Sequence, residues 1–280
     1  MLATNHAKKS VRKTQVTPIR NPYQVSKCEE LAMPTLIVGK KEIDCSLIVF
    51  DKDGTLLDQY PSFVMRARAR RKAIRQYGNE QAAALWEKIA GVDVKTGKID
   101  QEGPIATLPL KEEIWVGALA FYLTGNSWED SKQLVKLAYE AAENSLAPPF
   151  GSTILPNVRK TLTDLKNHGF RLAIASTDTH KRIDDSLNAL GIGSLFDIVV
   201  GVDEVVNGKP SPDMLNEIMK QTQLGHREMV IVGDSIYDMQ MGRNAKVKAC
   251  IAVLTGSGKK KKLEPLADIM INSVAELGAR

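Results

Sequence analysis

The amino-acid sequence predicts an α/β protein, a three-layer sandwich with a parallel central sheet, carrying a smaller all-helical segment between its first two sheet strands. Three observations lead there. From residue 157 onward, short apolar runs alternate with helical stretches of about 10 to 15 residues, the pattern of β-α-β units. Leu47-Ile48-Val49-Phe50 is apolar throughout and reads as a strand buried on both faces. Residues 60–149 carry helical periodicity with no strong β-run between them.

In chain order, residues 1–33 are polar, basic and without periodicity, and read as a disordered N-terminal extension. Lys8, Lys9, Arg12, Lys13, Arg20, Lys27 and Lys40, set against Glu29 and Glu30, account for the whole net charge of +5. Basicity is therefore a property of the leading segment and does not mark the rest of the chain as a nucleic-acid binder. The segment lacks the amphipathic, arginine-rich character of a mitochondrial transit peptide, which stands as the lesser reading beside a plain tail. It also lacks the apolar core of a secretory signal.

Residues 34–43 read as a short hairpin feeding the strand at 47–50. Helices are expected at 63–77, 80–90, 110–123 and 128–146, the last with Ser127 at its N-cap. After Gly151 the expected order is helix 157–168, strand 170–175, helix 181–190, strand 196–200, helix 212–222, strand 229–232 and helix 239–246. Strands at 249–254 and 269–271 close the series. The domain boundaries follow, with a core domain of residues 34–59 and 150–280 and a helical domain of residues 60–149.

Hydrophobic content of 43% and charged content of 25% fit a globular chain with an ample core. The longest nearly apolar run, 114–123, is too short to cross a bilayer core of about 30 Å as a helix, so no membrane span is expected. Cys28, Cys45 and Cys250 are odd in number and form no C-x-x-C pair, which argues against a disulfide frame or zinc site and for a reducing, cytoplasmic compartment.

The chemistry gathers at strand ends. Asp51 and Asp53 directly follow the 47–50 strand, at the edge where open α/β sheets bind ligands. Two such acids repel unless a cation lies between them, and hard cations take oxygen ligands, so magnesium is the expected metal. Ser176-Thr177 follows the next strand, Gly208-Lys209-Pro210 the third, and Gly233-Asp234 the fourth, with Asp238 one helical turn on. Right-handed crossovers gather these ends on one edge. Carboxylates, a hydroxyl and a lysine together suit phosphoryl transfer, which depends on positioning and charge neutralisation.

Asp51-Lys52-Asp53-Gly54-Thr55 and Gly233-Asp234-Ser235, with Asp238 following, resemble the signatures of the haloacid dehalogenase superfamily in its phosphatase branch. The resemblance spans about residues 46–275, and the helical insertion resembles the cap of the phosphoglycolate phosphatase-like group. It implies a Rossmann-like core with a helical cap domain, and Asp51 as a nucleophile that forms an aspartyl-phosphate. Asp53 would protonate the leaving oxygen and then activate water. Asp51, the backbone carbonyl of Asp53 and Asp234 would hold Mg2+, while Asp238 would bind through water or orient Lys209. Ser176, Thr177 and Lys209 would contact the phosphoryl group, although many relatives carry Asn where this chain has Thr177.

The expected function is a magnesium-dependent phosphatase of a small phosphorylated metabolite. A phosphomutase of the same fold, a pyrophosphatase or nucleotide phosphatase, and a catalytically silent binding protein are the alternatives. Neither nucleic acid nor membrane is an expected partner, and no residue pattern specifies an oligomeric state. Lys52 reads as structural or solvated, because its neighbours in the motif act through backbone. Arg66, Arg68, Arg70, Arg71, Lys72 and Arg75 read as a solvated helix face. Lys259 to Lys262 read as a solvated loop on the catalytic edge, placed to attract anions, and the histidines, His180 included, as bystanders.

Overall fold

The computed structural model describes residues 33–280 apart from 101, 102 and 109. But for Met33, the extension expected over residues 1–33 lies outside the described residues.

The hairpin forms as β1 (Thr35–Val38) and β2 (Lys41–Asp44), turning at Gly39 with φ 62°. It leads into β3 (Leu47–Phe50) and the two-residue β4 (Leu57–Asp58). The helical segment follows as α1 (Tyr60–Tyr77), α2 (Glu80–Ala90), the small hairpin β5 (Val92–Asp93) and β6 (Lys98–Ile99), α3 (Pro104–Thr107), α4 (Leu110–Tyr122) and α5 (Trp128–Asn144). The chain returns through β7 (Thr153–Ile154), which pairs antiparallel with β4, so the exit and re-entry of the helical segment are stitched together at one stem.

Beyond the stem come α6 (Val158–Asn167), β8 (Arg171–Ala175), α7 (His180–Ala189), β9 (Ile198–Val200), α8 (Asp213–Thr222) and β10 (Met229–Gly233). The chain ends with α9 (Ile236–Ala245), β11 (Ala249–Val253), α10 (Lys260–Leu263), β12 (Ile269–Ile271) and β13 (Leu277–Ala279). Six strands form one parallel sheet in the order β12-β11-β10-β3-β8-β9. The α/β expectation is met.

Alternation along the strands divides the core between two layers. Ile48 and Phe50 join an apolar cluster with Leu162, Leu165 and Ile183, while Leu47 and Val49 face Met214, Ile218 and Met239 on the other side. Every residue of β3 is buried, as a strand covered by helices on both faces requires. The helical segment has an interior of its own, around Ile74, Trp86 and Phe121. There the Trp86 indole N–H donates to the Tyr139 hydroxyl at 2.9 Å, satisfying a buried donor.

Local signals explain the helix ends. Asn79 Oδ1 accepts from Ala82 N at 2.8 Å to cap α2, and Ser127 Oγ accepts from Asp130 N at 3.1 Å to cap α5. Helix α9 begins three residues earlier than expected because Ser235 and Asp238 form a reciprocal capping box. Several elements were not expected, among them β4, β7, α3 and the short helix α10, which carries Lys260–Lys262 where a loop was expected. The β5–β6 hairpin turns through Gly97 at φ 78°, and β13 pairs antiparallel with β1 to extend the leading hairpin to three strands. Among the described residues, no helix is long and apolar enough to cross a membrane.

The order of the sheet places the site. From β3 the chain winds outward through β8 and β9, then returns to lay β10 on the other side of β3. That reversal opens a crevice at the C-terminal ends of β3 and β10. In this register Val232 lies opposite Phe50, and Asp51 N donates to Val232 O at 2.9 Å, so Asp51 and Asp234 leave adjacent strands side by side.

Candidate active site

The centre of the crevice is an ion cluster. Lys209 Nζ donates to Asp51 Oδ1 at 2.5 Å and to Asp238 Oδ1 at 2.6 Å, with all three side chains nearly dry. Asp234 accepts from Thr55 Oγ1 at 3.2 Å and from Ser257 N at 2.9 Å. Burial foremost, then the negative charges of Asp238 and Asp53, push the Asp51 carboxyl up to about 7, against the pull of Lys209. Burial also drives Asp234 well above the usual carboxylate range, reinforced by Asp51 and Asp238. Burial opposes the charge on Lys209, yet Asp238 and Asp51 outweigh it and hold that ammonium above its ordinary pKa.

Two of the three clustered carboxylates thus share one ammonium and Asp234 lies beside them without it, an excess of negative charge that favours a cation. Oxygens of Asp51, Asp234 and Asp238 lie within 4.8 Å of one another, and this all-oxygen set fits a hard divalent ion. The donors are not equally free. Asp238 Oδ2 already accepts from Ser235 N at 3.0 Å and Ser235 Oγ at 2.6 Å, while its Oδ1 is engaged by Lys209.

Glycines let the backbone wrap Asp234. Gly54 sits at φ 85°, and a Cβ there would meet the Asp234 carboxylate at 2.8 Å. A Cβ on Gly256 would come within 1.9 Å of Asp234 Oδ2. Side chains at either place would displace the carboxylate.

Of the remaining sequence-expected residues, Ser176 is buried at the end of β8, where its Oγ accepts from Asp178 N at 3.2 Å. Thr177 is exposed. The Asp53 side chain is a third exposed and lies outside the three-carboxylate cluster, its Oδ2 held 2.8 Å from Lys52 Nζ. Lys260, Lys261 and Lys262 are exposed on α10. His180 Nδ1 lies 2.8 Å from Glu204 Oε2, and hydrogen bonding to Glu204 raises its pKa.

One expectation is narrowed and another needs correction. Of the two readings left open for Lys52 the structural one holds, for it is 2% exposed and bonded to both Asp53 and Asp178 Oδ2 at 2.8 Å. Burial works against its charge, and Asp53 with Asp178 overcomes that to raise its pKa. The basic face of α1 is only half solvated. Arg68, Lys72 and Arg75 are exposed, whereas Arg70 is fully buried against Glu113 and Glu143, and Arg71 pairs with Glu80 and Glu87. Arg66 lies 3.7 Å from Glu143.

Sequence reasoning also missed Asp178, Arg182 and Glu143. Arg182 Nη1 donates to Glu143 Oε2 at 2.9 Å, and its Nε lies 3.4 Å from Asp178 Oδ1. The guanidinium stacks 4.1 Å above the Phe150 ring. The one available signal was a lysine set between two acids at the end of an apolar strand, a cation that burial would force to find partners.

Comparison with known proteins agrees with this geometry. The family model of haloacid dehalogenase-like hydrolases matches residues 45–246. A phosphoglycolate phosphatase of Vibrio cholerae is 30% identical over 71% of this chain and 80% of its own. A pyrophosphatase of Halalkalibacterium halodurans is 30% identical over 43% of this chain and 56% of its own. Among solved structures, a predicted phosphoglycolate phosphatase from Haemophilus somnus shares the fold with a TM-score of 0.60 at 22% identity, over 83% of this chain and 96% of that one. The chain belongs to the haloacid dehalogenase-like hydrolases.

Proposed function

We propose that this hydrolase is a magnesium-dependent phosphatase that removes phosphate from a small phosphorylated metabolite through an aspartyl-phosphate on Asp51. The observation that carries the reading is the Lys209 bridge between Asp51 and Asp238 beside the buried Asp234. It aligns an attacking carboxylate with a cation able to receive phosphoryl oxygens. The likeness to a phosphoglycolate phosphatase supports the substrate class.

In the first half-reaction an Asp51 carboxylate oxygen bonds to phosphorus while the ester P–O bond breaks, and Asp53 gives its proton to the departing oxygen. In the second, Asp53 takes a proton from water, the water oxygen bonds to phosphorus, and the bond to Asp51 breaks to free phosphate. Lys209 and Ser176 hold the phosphoryl oxygens, with Thr177 beside them. Asp51, the Asp53 carbonyl and Asp234 would hold magnesium, which when bound would supply charge that offsets the carboxylates and the phosphoryl group. Asp238, with both oxygens engaged, acts by orienting Lys209.

Residues 60–149 serve as a cap domain over the core of residues 34–59 and 150–280. Their own interior and the single β4–β7 stem support this division. Such a cap excludes water and selects the leaving group.

The test is a panel of phosphate esters with magnesium, including phosphoglycolate, hexose phosphates, nucleoside monophosphates and pyrophosphate. Phosphate release and isomer formation are both read. We expect free phosphate, and a loss on the order of 10^4-fold or more in Asp51→Asn. Isomer without phosphate would identify a mutase instead, and turnover retained by Asp51→Asn would remove the nucleophile assignment.

A further inference from the structure

Asp53 is joined to the helical segment by an unbroken chain of alternating charges. Its Oδ2 meets Lys52 Nζ at 2.8 Å, and the same ammonium donates to Asp178 Oδ2 at 2.8 Å. Asp178 Oδ1 faces Arg182 Nε at 3.4 Å, and Arg182 Nη1 donates to Glu143 Oε2 at 2.9 Å. Glu143 in turn accepts from Arg70 Nη2 at 3.3 Å, and Arg70 pairs with Glu113. Glu143, Arg70 and Glu113 stand on α5, α1 and α4, whereas Lys52 and Asp53 follow β3, Asp178 follows β8 and Arg182 stands on α7. Arg182–Glu143 is therefore the link at which the chain passes from one group of elements to the other.

The burial of Lys52 makes this more than a surface network. An ammonium 2% exposed keeps its charge only through its partners, so its position is dictated by Asp178 as much as by Asp53. Asp53 is the opposite case, a third exposed and held by Lys52 through Oδ2. A carboxylate that must reach a leaving oxygen and then a water needs a fixed direction, and a dry, doubly anchored lysine supplies one.

Resting on the phosphatase reading above, we propose that Lys52 is a positioning residue that aims the Asp53 carboxylate. We propose also that the Asp178–Arg182–Glu143 relay makes this aim depend on how the helical segment seats on the core. Lys52 touches neither the phosphorus nor the leaving group and acts through Asp53 alone. When the helical segment lifts, Arg182 loses Glu143, Asp178 is held less firmly, and Lys52 with Asp53 is free to turn.

The test separates proton transfer from nucleophilic attack by leaving group. An alkyl phosphate needs a proton on its departing oxygen, whereas 2,4-dinitrophenyl phosphate does not. In Lys52→Met we expect alkyl phosphate turnover to fall about 100-fold, the lower range for general acid–base catalysis. With the dinitrophenyl ester we expect a burst approaching one dinitrophenolate per enzyme, then slow turnover, because phosphorylation of Asp51 stays fast while its hydrolysis needs Asp53. Phosphorylated protein should accumulate in the mass spectrum during that slow phase. Lys52→Arg should recover part of the alkyl phosphate rate.

Glu143→Gln, at the partly exposed far end of the relay, tests the coupling without disturbing the buried lysine, and should show the same burst with a smaller loss of about 10-fold. Equal losses on both esters with no burst, or unchanged kinetics in both variants, would overturn the inference while leaving the phosphatase reading intact. A wild-type protein that releases no phosphate, or an Asp51→Asn variant as active as wild type, would instead defeat the underlying reading.

Discussion

Lys209 Nζ lies 2.5 Å from Asp51 Oδ1, inside a crevice that also buries Asp234 and Asp238. Asp51 follows β3 and Lys209 follows β9, with β8 between those strands, so the segment after β9 must reach back past β8 to bring them together. The same ammonium bridges Asp51 and Asp238, so two of the three clustered carboxylates share one buried cation.

Removing that ammonium should expose the imbalance. Lys209→Met leaves Asp51 and Asp238 buried without their cation, and should cost about 3–5 kcal/mol of stability in metal-free protein, read from urea unfolding midpoints. An unchanged midpoint would mean that water enters the crevice freely.

Metal binding should stabilise the fold. Magnesium at about 100 times its dissociation constant should add about 2.7 kcal/mol, visible as a rise in Tm. Asp234→Asn should abolish most of the rise. If the shift survives that substitution, the ion binds elsewhere.

The pH dependence follows from Asp51. Its carboxyl titrates near 3.8 in the unfolded chain and near 7 in the metal-free fold, so the folded state binds more protons across that interval. Stability contributed by this group is present below the unfolded value and is lost as pH rises through the folded one. Metal-free Asp51→Asn should therefore gain stability over wild type as pH rises from about 4 to 7, and the advantage should shrink once magnesium is added. Thermal denaturation across that range, with and without chelator, checks both statements.

Backbone crowding around Asp234 gives a separate handle. Gly256→Ala places a Cβ within 1.9 Å of Asp234 Oδ2, so the carboxylate must move. We expect the magnesium-induced rise in Tm to fall sharply while the circular dichroism spectrum stays native. A full metal response would show that the 255–258 loop yields instead.

Much of this was legible in the chain because it is local. The apolar Leu47–Phe50 run followed by acids needs only its own residues to read as a buried strand with a polar end, and alternation after residue 157 sets the parallel sheet. Ser127 announces its helix by a side chain that reaches three residues. Where the chain left a choice open or was misread, the answer lay in distant partners. Lys52 is buried beside Asp178, which arrives from the segment after β8, and Arg70 is buried where Glu113 and Glu143 converge on it from two other helices.

Order along the polypeptide by itself determined which residues form strands, which edge of the sheet carries polar groups, and that carboxylates, a hydroxyl and a lysine stand there. Only the tertiary structure decided which charge meets which. Periodicity reports the face on which a side chain lies, whereas the pairing of a buried ion depends on contacts between segments remote in sequence.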